Sequence, residues 1–216
     1  MVRAHRESMN PLSDQFIGGN YFDKYRSTNP IHQWLMRGFM GSVRELLGSI
    51  EYGSVLEVGC GPGDLATRIL PPQVDYLGID IDQMEIEIAR KQYPQLSFQV
   101  GSAYELPVES NSFDLVIACE VLEHLEDPAK ALAEIDRVAK RWVLVSVPWE
   151  PTWRILNVIR GKYWRSFGNT PGHVQHFSRA EIRRQIVNRF VIVNELDPLP
   201  WTIIVASKRS SQKTHL

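Results

Sequence analysis

The chain has 216 residues, 44% of them hydrophobic, and a formal net charge of −1. That length suits one α/β domain with a modest cap and buries a sizeable core without disulfides or metal. The near-neutral balance supplies no field to draw nucleic acid, and no apolar run approaches the roughly 20 residues that span a bilayer. Cys60 and Cys119, the only cysteines, lack metal-ligand spacing, and two unpaired thiols suit a reducing compartment. The N-terminus is polar with no secretory core, so a cytoplasmic location is expected.

Residues 1–30 are polar, contain Gly18-Gly19, and read as a flexible N-terminal arm. Over residues 31–50, Ile31, Trp34, Leu35, Phe39, Val43, Leu46 and Leu47 fall at helical spacing behind an Asn29-Pro30 cap. Val55-Leu56-Glu57-Val58 is a short strand ended by glycines. Asp64 is suited to cap a helix running to about residue 70, which Pro71-Pro72 stops. Residues 76–81 form a second strand, 83–93 a second helix stopped by Pro94, and 97–100 and 113–119 the next two strands. Asp127-Pro128 opens a helix to about residue 140. Residues 142–147 make a fifth strand, apolar almost throughout, as when both faces are covered.

This alternation implies a parallel sheet with right-handed crossovers. It breaks at 148–177, which has no strand pattern and reads as a cap or lid insertion. Ser178 with Glu181 three residues on forms a capping box for a helix to about residue 188. Two strand-like runs, 190–193 and 202–207, are joined by a linker too short for a helical crossover, so they pair antiparallel. The expected fold is α/β, a doubly wound, seven-stranded, mostly parallel sheet over residues 31–208, with an antiparallel last strand, a small cap and a frayed tail at 209–216.

The densest chemical signal is Glu57-Val58-Gly59-Cys60-Gly61-Pro62-Gly63-Asp64, directly after the first strand. Glycines let the backbone turn tightly and approach a ligand, and the loop delivers a helix N-terminus. A dinucleotide fingerprint needs G-x-G-x-x-G. Here the third glycine comes one residue early and Asp64 stands in its place. A carboxylate there opposes a pyrophosphate and suits a ligand bearing an ammonium and a sulfonium. The bland alternative is a glycine-rich turn with no ligand. Gly78-Ile79-Asp80-Ile81-Asp82 ends the second strand. Asp80, about 20 residues past the first glycine, suits the two ribose hydroxyls, and Asp82 suits a helix cap. A cap is the alternative for Asp80 too.

In order, VLEVGCGPGDL, YLGIDID, VGSAYELP, SFDLVIACEVLEHLEDP and VLVSVP resemble the motifs of class I S-adenosylmethionine-dependent methyltransferases. The nearest resemblance is to the bacterial VLEHL-signature group that includes quinone-biosynthesis enzymes. It covers about residues 53–148. It implies a Rossmann-like methyltransferase fold, S-adenosyl-L-methionine as cofactor, and methyl transfer to oxygen, carbon or nitrogen of a small-molecule or lipid-like acceptor. It puts Gly59, Gly61 and Gly63, with Cys60 in the same loop, beneath the methionine part, and Glu57 under the loop organising its amides. Asp80 holds the ribose and Ile81 packs on the adenine. Ser102 and Ala103 border the adenine edge, Ser102 standing where many relatives carry Asp. Cys119 and Glu120 face the methionine portion or the donor methyl. His124 and Leu125 fall in a partly structural stretch of the motif.

Outside that region, Trp149, Trp153, Tyr163, Trp164 and Phe167 interleave with Arg154, Arg160, Lys162 and Arg165. Residues 153–164 place an apolar stripe on one helical face. This reads as a cap helix packed on the domain, or as a lid whose basic outer face, 153–165, touches a membrane or an anionic substrate. His173 and His176 are candidate general bases, with a loop-pinning hydrogen bond as the alternative. They lack a third nearby ligand, so no metal is expected. No Asn-Pro-Pro-Tyr run follows the fourth strand, which argues against a nucleic-acid acceptor. Two rivals are an NAD(P)-dependent oxidoreductase, which the glycine spacing disfavours, and a non-catalytic S-adenosylmethionine-binding regulator or scaffold.

Overall fold

Near-continuous apolar runs along the central strands give a sheet two buried faces, and helices cover both. The computed structural model describes residues 28–149 and 174–209. Residues 1–27, 150–173 and 210–216, where the expected arm, most of the expected cap and the expected tail fall, lie outside them. The elements are α1 (Pro30–Gly48), β1 (Ser54–Val58), α2 (Asp64–Ile69), β2 (Asp75–Asp80), α3 (Gln83–Gln92), β3 (Ser97–Val100), β4 (Phe113–Cys119), a 3-10 turn (Leu122–His124), α4 (Pro128–Val138), β5 (Ala139–Pro148), α5 (Arg179–Val187), β6 (Phe190–Leu196) and β7 (Trp201–Lys208).

The seven strands lie in the order β3-β2-β1-β4-β5-β7-β6. β1 to β5 are parallel, and β7 runs antiparallel to both β5 and β6. The chain leaves β1 outward to β2 and β3, then returns to β4 on the other side of β1. The order therefore reverses between β1 and β4, where open α/β sheets form a crevice at their carboxyl ends. Leu115, Ile117 and Leu144 point into one core with Phe39, Val43 and Leu46 of α1. Val116, Ala118, Val143 and Val145 point into the other with Leu132 and Ile135 of α4 and Ile182 of α5.

Local signals set most helix starts. The Asn29 side chain accepts from the Ile31 and His32 amides, with Pro30 in the first turn. Asp127 caps α4, and the Ser178–Glu181 capping box is complete. Ile31 and Trp34 are 64% and 58% exposed, so the buried stripe of α1 begins at Leu35. Two expectations are corrected, the cap of α2 and the start of β5. Gly63, not Asp64, is the N-cap of α2: the position has φ +83°, which favours glycine, and Asp64 falls inside the first turn. β5 begins at Ala139 rather than 142, because Ala139 pairs with Phe113 where α4 ends.

Asp114 ties the entry of β1 to β4. Its carboxylate accepts from the Gly53 and Ser54 amides at 2.9 and 3.0 Å, with Lys140 at 3.4 Å. The Gly53 hydrogen bond foremost holds its pKa below the usual carboxylate value. A lowered folded pKa contributes stability that is present above the unfolded value, about 4, and is lost as pH falls through the folded value. Asp114→Asn is therefore expected to lower the urea midpoint at pH 7, and to lose less stability than the parent when both are acidified below about pH 4.

Candidate functional site

The loop after β1 turns because Gly59, Gly61 and Gly63 all have positive φ, +71°, +50° and +83°. The Gly59 and Cys60 amides both donate to the Ile79 carbonyl, at 2.7 and 3.1 Å, which folds the loop back onto β2. The three glycines serve different ends. A Cβ on Gly59 would lie 2.4 Å from Val121 Cγ2, and one on Gly63 would lie 2.8 Å from the Phe98 ring. A Cβ on Gly61 meets nothing within 4 Å among the described residues. Gly61 therefore borders open space at the carboxyl end of the sheet, a cradle that a side chain would fill.

Asp80, at the end of β2, faces that cradle. Its Oδ2 accepts from the Gly61 amide at 2.8 Å and its Oδ1 from the Asp82 amide at 2.9 Å. Each carboxylate oxygen keeps capacity for a second donor. Asp82 itself caps α3 through the Met84 amide. Ile81 beside it is 57% exposed, an apolar face open to a planar ring. Burial, then Asp80, Asp82 and Asp64, push the Glu85 pKa up. This mouth is negatively charged and favours a cationic ligand.

Below the loop, Glu57 is 3% exposed and accepts from the Tyr76 hydroxyl at 2.6 Å. Burial and then Glu57 raise the Tyr76 phenol pKa well above its ordinary value. The loop amides of Gly59, Cys60 and Gly61 go to Ile79 and Asp80, where the sequence suggested Glu57 as their organiser. The Cys60 thiol is packed in the core, and burial, then Glu57 and Asp80, push its pKa up. Cys60 therefore offers the cleft its backbone, not its sulfur. Asp64, equally buried, accepts from the Tyr93 hydroxyl at 2.8 Å.

Ser102 and Ala103 follow β3, beside β2. The Ser102 hydroxyl accepts from the Tyr104 amide at 3.1 Å, closing a small turn. Cys119 ends β4 opposite Ser146 of β5. Glu120 has φ +60°, a conformation that costs a side chain about 1–2 kcal/mol and needs support. The support is long-range. Ser146 Oγ donates to Glu120 Oε1 at 3.3 Å and Trp201 Nε1 donates to Oε2 at 2.8 Å. The carboxylate thus leans toward β5 and β7. Trp201 is braced by Phe39, ring centroids 5.0 Å apart.

Ser146 and Trp201 were not singled out in the sequence. The available signal was a serine inside an otherwise apolar Val143–Val147 run, and a tryptophan straight after Pro198-Leu199-Pro200.

His176 is exposed, on a segment tied to the turn beyond β4, where the Val174 and Gln175 amides both donate to the Glu123 carbonyl at 2.9 Å. His173 lies outside the described residues, as do Trp153, Arg154, Arg160, Lys162, Tyr163, Trp164, Arg165 and Phe167. Trp149, just after β5, is described. The Arg179 guanidinium stands 4.0 Å from its ring centroid and pairs with Asp197. Among the described residues no three His, Cys, Asp or Glu side chains gather to hold a metal, and no helix is long and apolar enough to cross a membrane.

Residues 56–145 match a family model described as a methyltransferase domain. A transposon-encoded 37.1 kDa protein of Streptomyces fradiae is 32% identical over 64% of this chain and 40% of its own length. An O-methyltransferase of Aspergillus nomiae is 35% identical over 45% of this chain and 47% of its own. The chain thus spans under half the length of these curated relatives. Among solved structures, magnesium protoporphyrin IX methyltransferase of Synechocystis with bound S-adenosylhomocysteine superposes with a TM-score of 0.63, at 20% identity, covering 85% of this chain and 89% of that one. A S-adenosylmethionine-dependent methyltransferase of Aquifex aeolicus gives 0.62 at 17% identity, covering 77% and 89%. These likenesses establish the fold. Gly61's open cradle, the oriented Asp80 carboxylate and the acidic mouth fit S-adenosylmethionine. The matched methyltransferase-domain region spans the five parallel strands that build this end of the sheet.

Proposed function

We propose that the chain transfers a methyl group from S-adenosylmethionine to a small-molecule or lipid-like acceptor. The carrying observation is the Gly61–Asp80 pairing, which sets a carboxylate beside an open glycine cradle at the switch point of the sheet. When bound, the cofactor supplies an electrophilic methyl on a sulfonium whose thioether leaves neutral. The chain's own work is to bind, orient and exclude water. In this reading Asp80 accepts both ribose hydroxyls, the Gly59–Gly63 loop lies under the methionine part above buried Glu57, and Ile81 covers one adenine face. Ser102 and Ala103 border the adenine edge, and Cys119 lies beside the reacting end.

Glu120, turned toward β5 and β7, faces the acceptor half. His176 and His173 are the candidate bases that take a proton from a hydroxyl acceptor as its oxygen attacks the methyl. Residues 148–177 cap the acceptor, with the basic face of 153–165 toward an anionic group or a membrane, in a cytoplasmic setting. Relatives named O-methyltransferase, from Aspergillus nomiae and Pyrenophora dematioidea, favour oxygen as the acceptor atom.

Titration calorimetry with S-adenosylmethionine, S-adenosylhomocysteine and NADH tests the cofactor. The expected outcome is micromolar binding of both adenosyl ligands and none of NADH, followed by transfer of labelled methyl to phenolic or quinone-like compounds. Binding of NADH alone overturns the reading.

A further inference from the structure

Residues 101–112 join β3 to β4 and carry Ser102 and Ala103. Backbone pairing ties the start of the segment to β2, the Gly101 amide donating to the Asp80 carbonyl at 2.9 Å. Its middle is held from another element. Glu134 Oε2 on α4 accepts from the Leu106 amide at 2.9 Å. Arg137, one turn further on, donates through Nη2 to the Leu106 carbonyl and through Nη1 to the Val108 carbonyl, both at 2.9 Å, and more loosely to Ser110 Oγ at 3.4 Å. The two side chains are joined by a bidentate ion pair of 2.8 and 2.7 Å. All five guanidinium donors are thereby used, an arrangement that a lysine ammonium cannot reproduce. The Arg137 hydrogen bond foremost depresses the Glu134 pKa, so the pair stays charged at neutral pH. Leu106, held on both sides of its peptide unit, is 3% exposed.

In a segment without helix or strand, buried backbone groups need partners from turns or side chains. Surface ion pairs contribute little to global stability. This one instead spends both partners on three peptide groups of a single loop. We propose that the Glu134–Arg137 pair is a positioning device for cofactor specificity. By holding residues 106–108 against α4, it fixes Ser102 and Ala103, a few residues upstream, at the distance from which the adenine edge is read. The inference rests on the reading that these two residues border the adenine.

The test compares S-adenosylhomocysteine with S-inosylhomocysteine, which carries a carbonyl in place of the adenine amino group, by calorimetry on the full chain. The wild type is expected to favour the adenine form by tenfold or more. In Arg137→Met that preference should collapse toward unity, with affinity for S-adenosylhomocysteine falling about tenfold and amide hydrogen exchange rising across 102–108. Glu134→Gln keeps an acceptor for Leu106 but weakens the pair, and should lose part of the preference. It carries the test if Arg137→Met does not fold. A role confined to stability lowers both affinities equally and leaves their ratio intact. An unchanged ratio in the folded variants, or a wild type indifferent to the base, overturns the inference. A wild type that binds neither ligand overturns the underlying cofactor assignment instead, and is recognised because its own titration is blank.

Discussion

Gly61→Arg is expected to abolish binding of S-adenosylhomocysteine while leaving the chain folded. The position has φ +50°, so any non-glycine residue costs roughly 1–2 kcal/mol, which lowers the melting temperature by several degrees in a domain of this size. The new Cβ meets nothing within 4 Å among the described residues. The side chain therefore has nowhere to clash with protein and projects into the space over the loop. There it displaces the ligand and adds positive charge at a mouth whose acidic groups favour a cation. A loss of ~100-fold or more, about 2.8 kcal/mol, is expected.

Gly63 supplies the internal contrast. A Cβ there runs into the Phe98 and Tyr93 rings, so Gly63→Ala should damage folding as well as binding. Calorimetry and thermal melts on the two variants separate these effects. Normal affinity in folded Gly61→Arg would mean that the cofactor lies elsewhere.

Asp80→Ala should weaken S-adenosylhomocysteine about as severely by a different route. The carboxylate takes the Gly61 and Asp82 amides on one side and, in the proposed complex, two ribose hydroxyls on the other. Hydrogen bonds to a charged group contribute about 1.5–3 kcal/mol each. Losing two corresponds to roughly 3 kcal/mol or more, on the order of 100-fold in affinity. Asp80→Asn keeps one acceptor oxygen and should lose about tenfold, giving a graded series. Equal affinity in Asp80→Ala and the parent would return Asp80 to a purely structural role, holding the glycine loop.

Several elements were legible before any coordinates because their determinants sit within a few residues of one another. Asn29-Pro30, Asp127-Pro128 and the Ser178–Glu181 box each satisfy the first amides of their own helix. The linker between β6 and β7 is too short for any crossover, so the antiparallel ending followed from chain length alone. Asp80 and the glycine loop were legible for a related reason: one strand and one tight turn carry them, separated by a short βαβ step.

What stayed hidden depends on which strands become neighbours. Glu120 meets Ser146 and Trp201, 26 and 81 residues away, because β5 and β7 come to lie beside β4. The differing surroundings of Gly59, Gly61 and Gly63 arise from Val121, Phe98 and Tyr93 on separate elements. The Arg137 grip on residues 106–110 needs α4 packed over the loop it holds. The sequence by itself determined the helices, the strands and the glycine-rich turn after β1, since each rests on spacing and backbone freedom over a short stretch of chain. Only the tertiary structure decided which glycine's Cβ position is left clear and where the Glu120 carboxylate turns, because those outcomes depend on side chains brought together by the order and register of the sheet.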